Sequence, residues 1–422
     1  MAKSRVWPII SLVVVCLITT SLWLGKMPFT ASETNDPNRS SLQTPEPAGL
    51  KPTGKPGRTS IINKMGNPDK STSDGNPDDF SETEEVKPEN LTDLFMMTPG
   101  PLELSVEGAT GWAGAAMPLY SKADIESDIV ADFDAGQVFV IIEEFKDWWF
   151  VESGGGESGW VMHTGCLINL PDVIPSIAYN ITNAYSALTR SSGYEIPGVT
   201  GQKLYDAFSY NPRLLRDEFI VPSLYSTSKL ICAAQQIALE AGDTIIIHEA
   251  YRAHESQMRS LALLRELVES NEVVKEAINA GPWNLGWFMA TTMSNHQRGV
   301  AFDASLGRIL SYEIMQADDV FFAKEITYNE YRMPTAMHEL SPLAISLAEP
   351  APSRDRDAWR AIPLADTMTP GAIILRNYFD RAGFTPIASE WWHFNDLSGL
   401  VVASELGIEG AFYIDDVLSV LP

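Results

Sequence analysis

From about Pro28 to Asp93 the chain is Pro, Ser, Thr, Asn, Gly and acidic residues, as in Asn76-Pro-Asp-Asp and Ser81-Glu-Thr-Glu-Glu. No helical or strand periodicity runs through it. Such a composition cannot bury enough apolar surface to offset chain entropy, so no core can pass through this tract. Any folded unit must lie to one side of it. The sequence therefore divides into residues 1–27, a disordered linker over 28–101, a β module over 102–170 and a larger unit over 171–422. As a coil, the tract from Pro28 to Asp93 would reach about 45 Å.

Ahead of the tract, Lys3 and Arg5 precede a largely apolar run from Val6 to Leu24. Roughly 19 apolar residues fall between a signal-peptide core and a full membrane span. The expectation is a signal peptide or membrane anchor over 1–27, with the bulk of the chain exported to the periplasm or cell envelope. A clean small-x-small cleavage site is missing, because Phe29 sits where a small residue is preferred. Behind the tract, 45% hydrophobic residues overall suffice for a core, while Lys+Arg 30 against Asp+Glu 55 gives a net charge of −25. That balance excludes nucleic acid as a partner, which needs a basic face. Three cysteines exclude a disulfide scaffold and a Cys-rich zinc module, and leave Cys166 and Cys232 for at most one bridge.

Between 102 and 170, β-branched and aromatic runs (Val138-Phe-Val-Ile-Ile, Trp148-Trp-Phe-Val-Glu, Gly159-Trp-Val) are separated by Gly-rich turns such as Ser153-Gly-Gly-Gly. Short strands in that rhythm predict a small barrel. Gly136, Val138, Trp148, Trp149, Val151, Gly159, Trp160 and Val161 resemble the later half of the bacterial SH3 module, with Gly136 and Val138 one residue closer than in that pattern. The resemblance implies attachment to the cell wall through this SH3-like module. Trp148 and Trp160 read equally well as barrel core or as an exposed aromatic face.

Beyond Ala178, helical and strand patterns alternate. Leu230–Ala241, Met258–Ala280 and Ile373–Ala382 read as helices, the last closed by Gly383. Thr244-Ile-Ile-Ile-His reads as a buried strand. The mixture predicts an α+β class. Two clusters carry chemistry: Ser294-Asn-His-Gln-Arg-Gly-Val-Ala-Phe-Asp303 and Ser389-Glu-Trp-Trp-His-Phe394. His296, Asp303 and His393 supply nitrogen and carboxylate ligands for Zn2+, and a catalytic zinc keeps one position open. Gly299 permits a tight turn between the first two ligands. Glu390, three residues before His393, is placed to move a proton between the attacking water and the leaving amine. Trp391 and Trp392 would wall the cleft. His163 and His254 read as ordinary core or surface groups.

Together these motifs resemble the VanX-type D-Ala-D-Ala dipeptidase branch of the zinc D,D-peptidase family. Ser294, His296, Gly299, Ala301 and Asp303 meet its motif Ser-x-His-x-x-Gly-x-Ala-x-Asp in full, and Glu390-Trp-Trp-His393 meets Glu-x-x-His. Glu249-Ala-Tyr-Arg252 is similar to the family's Gly-Tyr-Arg, and Met333-Pro-Thr-Ala-Met-His-Glu-Leu stands in the place of Met-Gly-x-x-Phe-Asp. The likeness covers about Tyr179 to Gly410. It implies a zinc D,D-peptidase fold with an antiparallel sheet, Glu390 and Arg252 as catalytic residues, and Ser294, Tyr251 and His338 at the substrate. The expected substrates are D-Ala-D-Ala or peptidoglycan stem peptides. The sequence departs at His338, which occupies the position of the Asp that holds the substrate ammonium, and a His cannot replace a carboxylate there. A D,D- or L,D-carboxypeptidase trimming stem peptides is therefore the alternative, and a non-catalytic envelope-binding protein a further one.

Overall fold

Along Trp148–Ser153, Trp149 and Val151 are buried while Trp148 and Phe150 are half-buried. The neighbouring strand Ser158–Met162 repeats this, with Val161 inward and Trp160 on the other face, as a period of two requires. The computed structural model describes residues 88–97, 100–317 and 320–420. These two strands belong to an eight-stranded antiparallel sheet. Its spatial order is Pro222–Leu224, Cys166–Asn169, Thr110–Ala113, Val138–Phe145, Trp148–Ser153, Ser158–Met162, Met117–Tyr120, Ile129–Phe133. Trp112, Trp149, Phe133 and Phe139 are the largest side chains fully buried in it.

Pro222–Leu224 lies beyond the expected boundary at 170/171, yet it pairs in register with Cys166–Asn169. The next residue, Tyr225, sets its ring edge-on against Trp149 at 4.6 Å between centroids. One continuous apolar core runs from Leu102 to Val417. Folded structure also starts earlier than the expected linker end: Leu91–Met97 is a helix, and Leu94 is buried.

The expectation of an exported, envelope-located chain with a possible membrane anchor is corrected here. No helix among the described residues is long and apolar enough to cross a membrane, and the apolar run over 1–27 lies outside them, as does most of the 28–101 tract.

The second sheet carries the chemistry. Its order is Thr385–Pro386, His393–Asn395, Ala301–Ala317, Asp243–Glu249, Ala178–Tyr179, and Val320–Glu330 also pairs with Ala301–Ala317. All pairings are antiparallel except that of Ala178–Tyr179 with Asp243–Glu249. The class is thus α+β with antiparallel sheets. Helices Tyr225–Glu240 and Pro370–Ala382 pack on each other and on this sheet. Gly383 ends the second at φ +102°, a left-handed C′ residue that spares it a Cβ clash. The single helix expected over Met258–Ala280 is two, His254–Ser270 and Glu272–Ile278. Asn271 breaks it because its side chain accepts from Val273 N and Val274 N, capping the second helix. Cys166 and Cys232 are both buried and free, so no bridge joins them.

Glu103 is buried against Ser176, whose backbone N–H donates to Oε2 at 3.0 Å and whose hydroxyl donates to Oε1. Burial pushes this carboxyl up to about 7, against the pull of the Ser176 hydrogen bonds and Lys324. A raised carboxylate contributes stability that is complete below its unfolded value and is lost as pH rises through the folded one. Glu103 should therefore cost the fold about 3 kcal/mol as pH rises from 5 to 8. The urea midpoint is expected to fall over that window, and Glu103→Gln to flatten the fall. A variant profile as steep as wild type would contradict this.

Candidate metal centre

The one-turn helix Asn295–Arg298 is fixed at both ends. Ser294 Oγ accepts from His296 N at 3.3 Å, and Gln297 Oε1 accepts from Ser294 N at 2.6 Å, a reciprocal capping box. Gly299 closes the turn at φ +66°, where a Cβ would come within 2.8 Å of Leu224 N. The chain then enters the strand at Ala301. Sheet register does the rest: Asp303 pairs with His393 on one side and Glu249 on the other. Residues directly opposite on neighbouring strands share a face. His296, Asp303, His393 and Glu249 thus meet although 144 positions separate Glu249 from His393.

His296 Nε2 lies 3.1 Å from His393 Nδ1 and 3.2 Å from Asp303 Oδ1, and His393 Nδ1 lies 2.9 Å from the same oxygen. The Ala250 carbonyl accepts from His296 Nδ1 at 2.7 Å, and Asn395 Oδ1 accepts from His393 Nε2 at 3.0 Å. Those oxygens only accept, so in the neutral rings the opposite nitrogens are bare. Three lone pairs then face one another about 3 Å apart, a repulsive arrangement unless a cation lies between them. A tetrahedral ion with bonds of roughly 2.0–2.1 Å has ligand edges of about 3.3 Å. The observed triangle fits such an ion to within a few tenths of an ångström, and the three residues form a cluster able to hold a metal.

The other carboxylate oxygen, Asp303 Oδ2, accepts from His338 Nε2 at 3.1 Å and from Arg252 Nη2 at 3.4 Å. His338 reaches it from a left-handed backbone at φ +59°. That conformation is held by pairing with Arg190, whose N–H donates to His338 O and whose carbonyl accepts from Leu340 N. Arg252 also donates to Glu249 through Nε at 2.8 Å and through Nη2, and to Gln257 Oε1 through Nη1 at 2.7 Å. Glu249 completes its shell with Asn183 and Tyr205. Glu249, Asp303 and His338 also cluster as metal ligands would, but the Arg252 guanidinium already stands between the two carboxylates. Burial alone would raise Asp303, yet when the facing nitrogens carry protons the His296 charge and hydrogen bonds from His296, His338 and His393 hold it well below the carboxylate range. Glu390 Oε2 is 3.7 Å from His393 Nδ1. Burial, with the Asp303 charge, pushes Glu390 up to about 8 despite His393 and Arg252.

These groups line one cavity of about 450 Å3, within the roughly 300–1,000 Å3 range of small-molecule sites. Its wall includes Arg252, Ser294, His296, Asp303, His338, Glu390, Trp392 and His393. Seven of the eight residues expected at the site therefore come together. The exception is Tyr251: its hydroxyl donates to the Phe412 carbonyl at 3.1 Å and it is not among the cavity-lining residues. As a substrate-binding residue it is corrected, because the backbone that turns Arg252 inward sends its neighbour the other way. His338 lines the cavity with its Nε2 on Asp303 Oδ2. Trp391 likewise turns away, donating to Thr335 Oγ1 at 2.9 Å. His163 bonds the Lys146 carbonyl, and His254 steadies Gln297 through a 2.7 Å contact. Sequence reasoning missed Asn395, Asn295, Gln297 and Ala250 O. Asn395, two residues after His393, was the readable signal, because ligating histidines need a partner for the second nitrogen.

No protein-family model matches this chain, and no curated protein matches it in sequence.

Asn395 orients His393 and also accepts from Asn295 Nδ2 at 2.7 Å. Loss of such a partner typically weakens metal binding about 10–100-fold. Asn395→Ala is expected to do so in a chelator competition with Zn2+, at unchanged helix content by circular dichroism. Affinity equal to wild type would remove Asn395 from this role.

Proposed function

We propose that the chain is a zinc-dependent metallopeptidase similar to the VanX-type D-Ala-D-Ala dipeptidases, acting on D-Ala-D-Ala or peptidoglycan stem peptides. One observation carries the reading: three bare ligand atoms converge beside a buried carboxyl group in a single cavity. The finer fold assignments, a zinc D,D-peptidase fold and an SH3-like small β unit, belong to the same proposal. The half-buried faces of Trp148 and Trp160 support a wall-binding role for that unit.

His296 Nε2, Asp303 Oδ1 and His393 Nδ1 would hold the zinc. Bound there, zinc supplies Lewis acidity toward a carbonyl and acidifies water. The protein's own groups do the remaining work. Glu390 takes a proton from the attacking water and returns it to the departing amine. Arg252 is anchored through Nε, Nη2 and one Nη1 hydrogen. The other Nη1 hydrogen is left for the charge that develops on the scissile carbonyl oxygen. Ser294 keeps His296 on its turn. Trp392 and Phe288 in the wall exclude water from the reacting atoms.

A specific observation favours the alternative of stem-peptide trimming. His338 is used on Asp303, and the Glu339 carboxylate accepts from the Ser192 and Gly193 amides. Neither offers a carboxylate to a free substrate ammonium, whose burial unpaired is costly. A longer peptide has a neutral amide at that place. The expected result is stoichiometric zinc in the purified chain and cleavage of a stem pentapeptide at least comparable in kcat/KM to that of D-Ala-D-Ala. Glu390→Gln should retain zinc and lose at least about 100-fold in kcat. His296→Ala/His393→Ala should lose the zinc. Zinc kept by that double variant, or a Glu390→Gln enzyme within tenfold of wild type, would sink the proposal.

A further inference from the structure

A second, smaller cavity of about 190 Å3 lies where the eight-stranded sheet, the hairpin Phe208–Asn211/Arg216–Phe219 and the segment at Asp416 meet. None of the groups of the metal centre lines it, and neither do Trp148 and Trp160. Trp112 does line it. This side chain is fully buried, yet its Nε1–H has no acceptor in the protein. A buried donor is costly to leave unpaired unless something in the cavity accepts from it. Asn169, also buried, lines the same cavity. Its Oδ1 accepts from Val221 N at 2.9 Å, and its Nδ2 hydrogens have no partner among the described residues.

Two carboxylates belong to the same wall. Glu218 is committed to Arg216 and to Phe219 N, with Lys324 Nζ at 3.8 Å. Asp416 is exposed and has neither an ion pair nor a hydrogen bond among the described residues. Tyr210, 59% exposed, and the partly buried Phe219 add aromatic surface. The wall thus holds unused donors in Trp112 and Asn169 and an unused acceptor in Asp416. An anion would be repelled by Asp416. A cation could not accept from Trp112 or Asn169, whereas a hydroxyl both donates and accepts. The volume, below the roughly 300–1,000 Å3 of drug-sized sites, admits one small ring.

We propose that this cavity binds a single uncharged sugar ring. Trp112 Nε1–H and Asn169 Nδ2 donate to its oxygens, Asp416 accepts from a hydroxyl, and Tyr210 and Phe219 cover its apolar face. The inference is independent of the peptidase reading: it concerns a different cavity and needs no metal.

The test titrates the full chain, labelled at its tryptophan indoles for NMR, with D-glucose, N-acetyl-D-glucosamine and cellobiose. Sodium acetate and methylammonium chloride serve as charged comparisons. One indole N–H resonance, the one missing from Trp112→Phe, is expected to shift saturably with a sugar and not with either salt. Tyr210→Ala and Asp416→Ala should each weaken that binding about 3–10-fold. Both positions are exposed, so these two variants decide the matter even where Trp112→Phe does not fold. The proposal is overturned by no shift with any of the three sugars, as a cavity holding only water would give. Sugar affinity unchanged in both exposed variants, or a response to either salt as strong as to the sugars, would overturn it as well.

Discussion

Asp303 is a fully buried carboxylate that stays ionised, and much of the site is arranged around that fact. An isolated buried charge carries a desolvation penalty of several kcal/mol. Here His296, His393 and His338 lie within 3.2 Å of it and Arg252 at 3.4 Å. Oδ2 is taken by His338 and Arg252, so Oδ1 alone faces the two bare imidazole nitrogens. The division of labour between the two oxygens follows from sheet register, with His393 and Glu249 on opposite flanks. A one-residue slip would turn Asp303 to the other face, take Oδ1 away from the two imidazole nitrogens and leave His338 and Arg252 without Oδ2 as an acceptor.

The small β unit reaches this site through one short strand. Pro222–Leu224 is the edge strand of the eight-stranded sheet, and it also clamps the turn that carries His296. Leu224 N donates to Gly299 O at 2.9 Å and Ser223 Oγ to the same carbonyl at 3.1 Å. The space a Gly299 Cβ would need is filled by Leu167 on the sheet side and by Leu224. Packing in the first sheet and the position of His296 are therefore set by the same contacts.

Local signals carried a good deal of this in advance. Motif spacing named His296, Asp303, His393 and Glu390, because each motif is short enough for its geometry to be encoded in a turn and a strand. Gly383 announced the end of its helix for the same local reason. Non-local features were illegible. The pairing of Pro222–Leu224 with Cys166–Asn169 depends on two segments 52 residues apart, and no pattern in either specifies the other. Which of Trp112, Trp148, Trp149 and Trp160 fill the core of the first sheet depends on strand phase, which puts Trp112 and Trp149 inside and leaves Trp148 and Trp160 half-buried. Asn271 interrupts a continuous helical apolar pattern because a side-chain cap competes with one more helical turn. Tyr251 fails for a related reason: its ring is buried in the core with the hydroxyl on the Phe412 carbonyl, while its neighbour Arg252 lines the cavity.

The two carboxyl groups of the cavity sit close together and shift in opposite directions, and the cause is the number of donors each receives. Asp303 has imidazoles and a guanidinium around it, enough to overcome burial and keep its charge. Glu390 receives help from His393, Arg252 and Trp392, too little to offset burial and the charge of Asp303, so it is pushed up to about 8. Environments that drive paired carboxylates apart assign their roles. The group that stays ionised is suited to be a ligand, and the group that holds its proton near neutrality is suited to exchange it. A dication among His296, Asp303 and His393 would stabilise the Glu390 carboxylate and bring its value down toward neutral pH. Occupancy of the ligand triangle and readiness of the acid–base group are therefore linked by the same electrostatics, without any movement of the backbone.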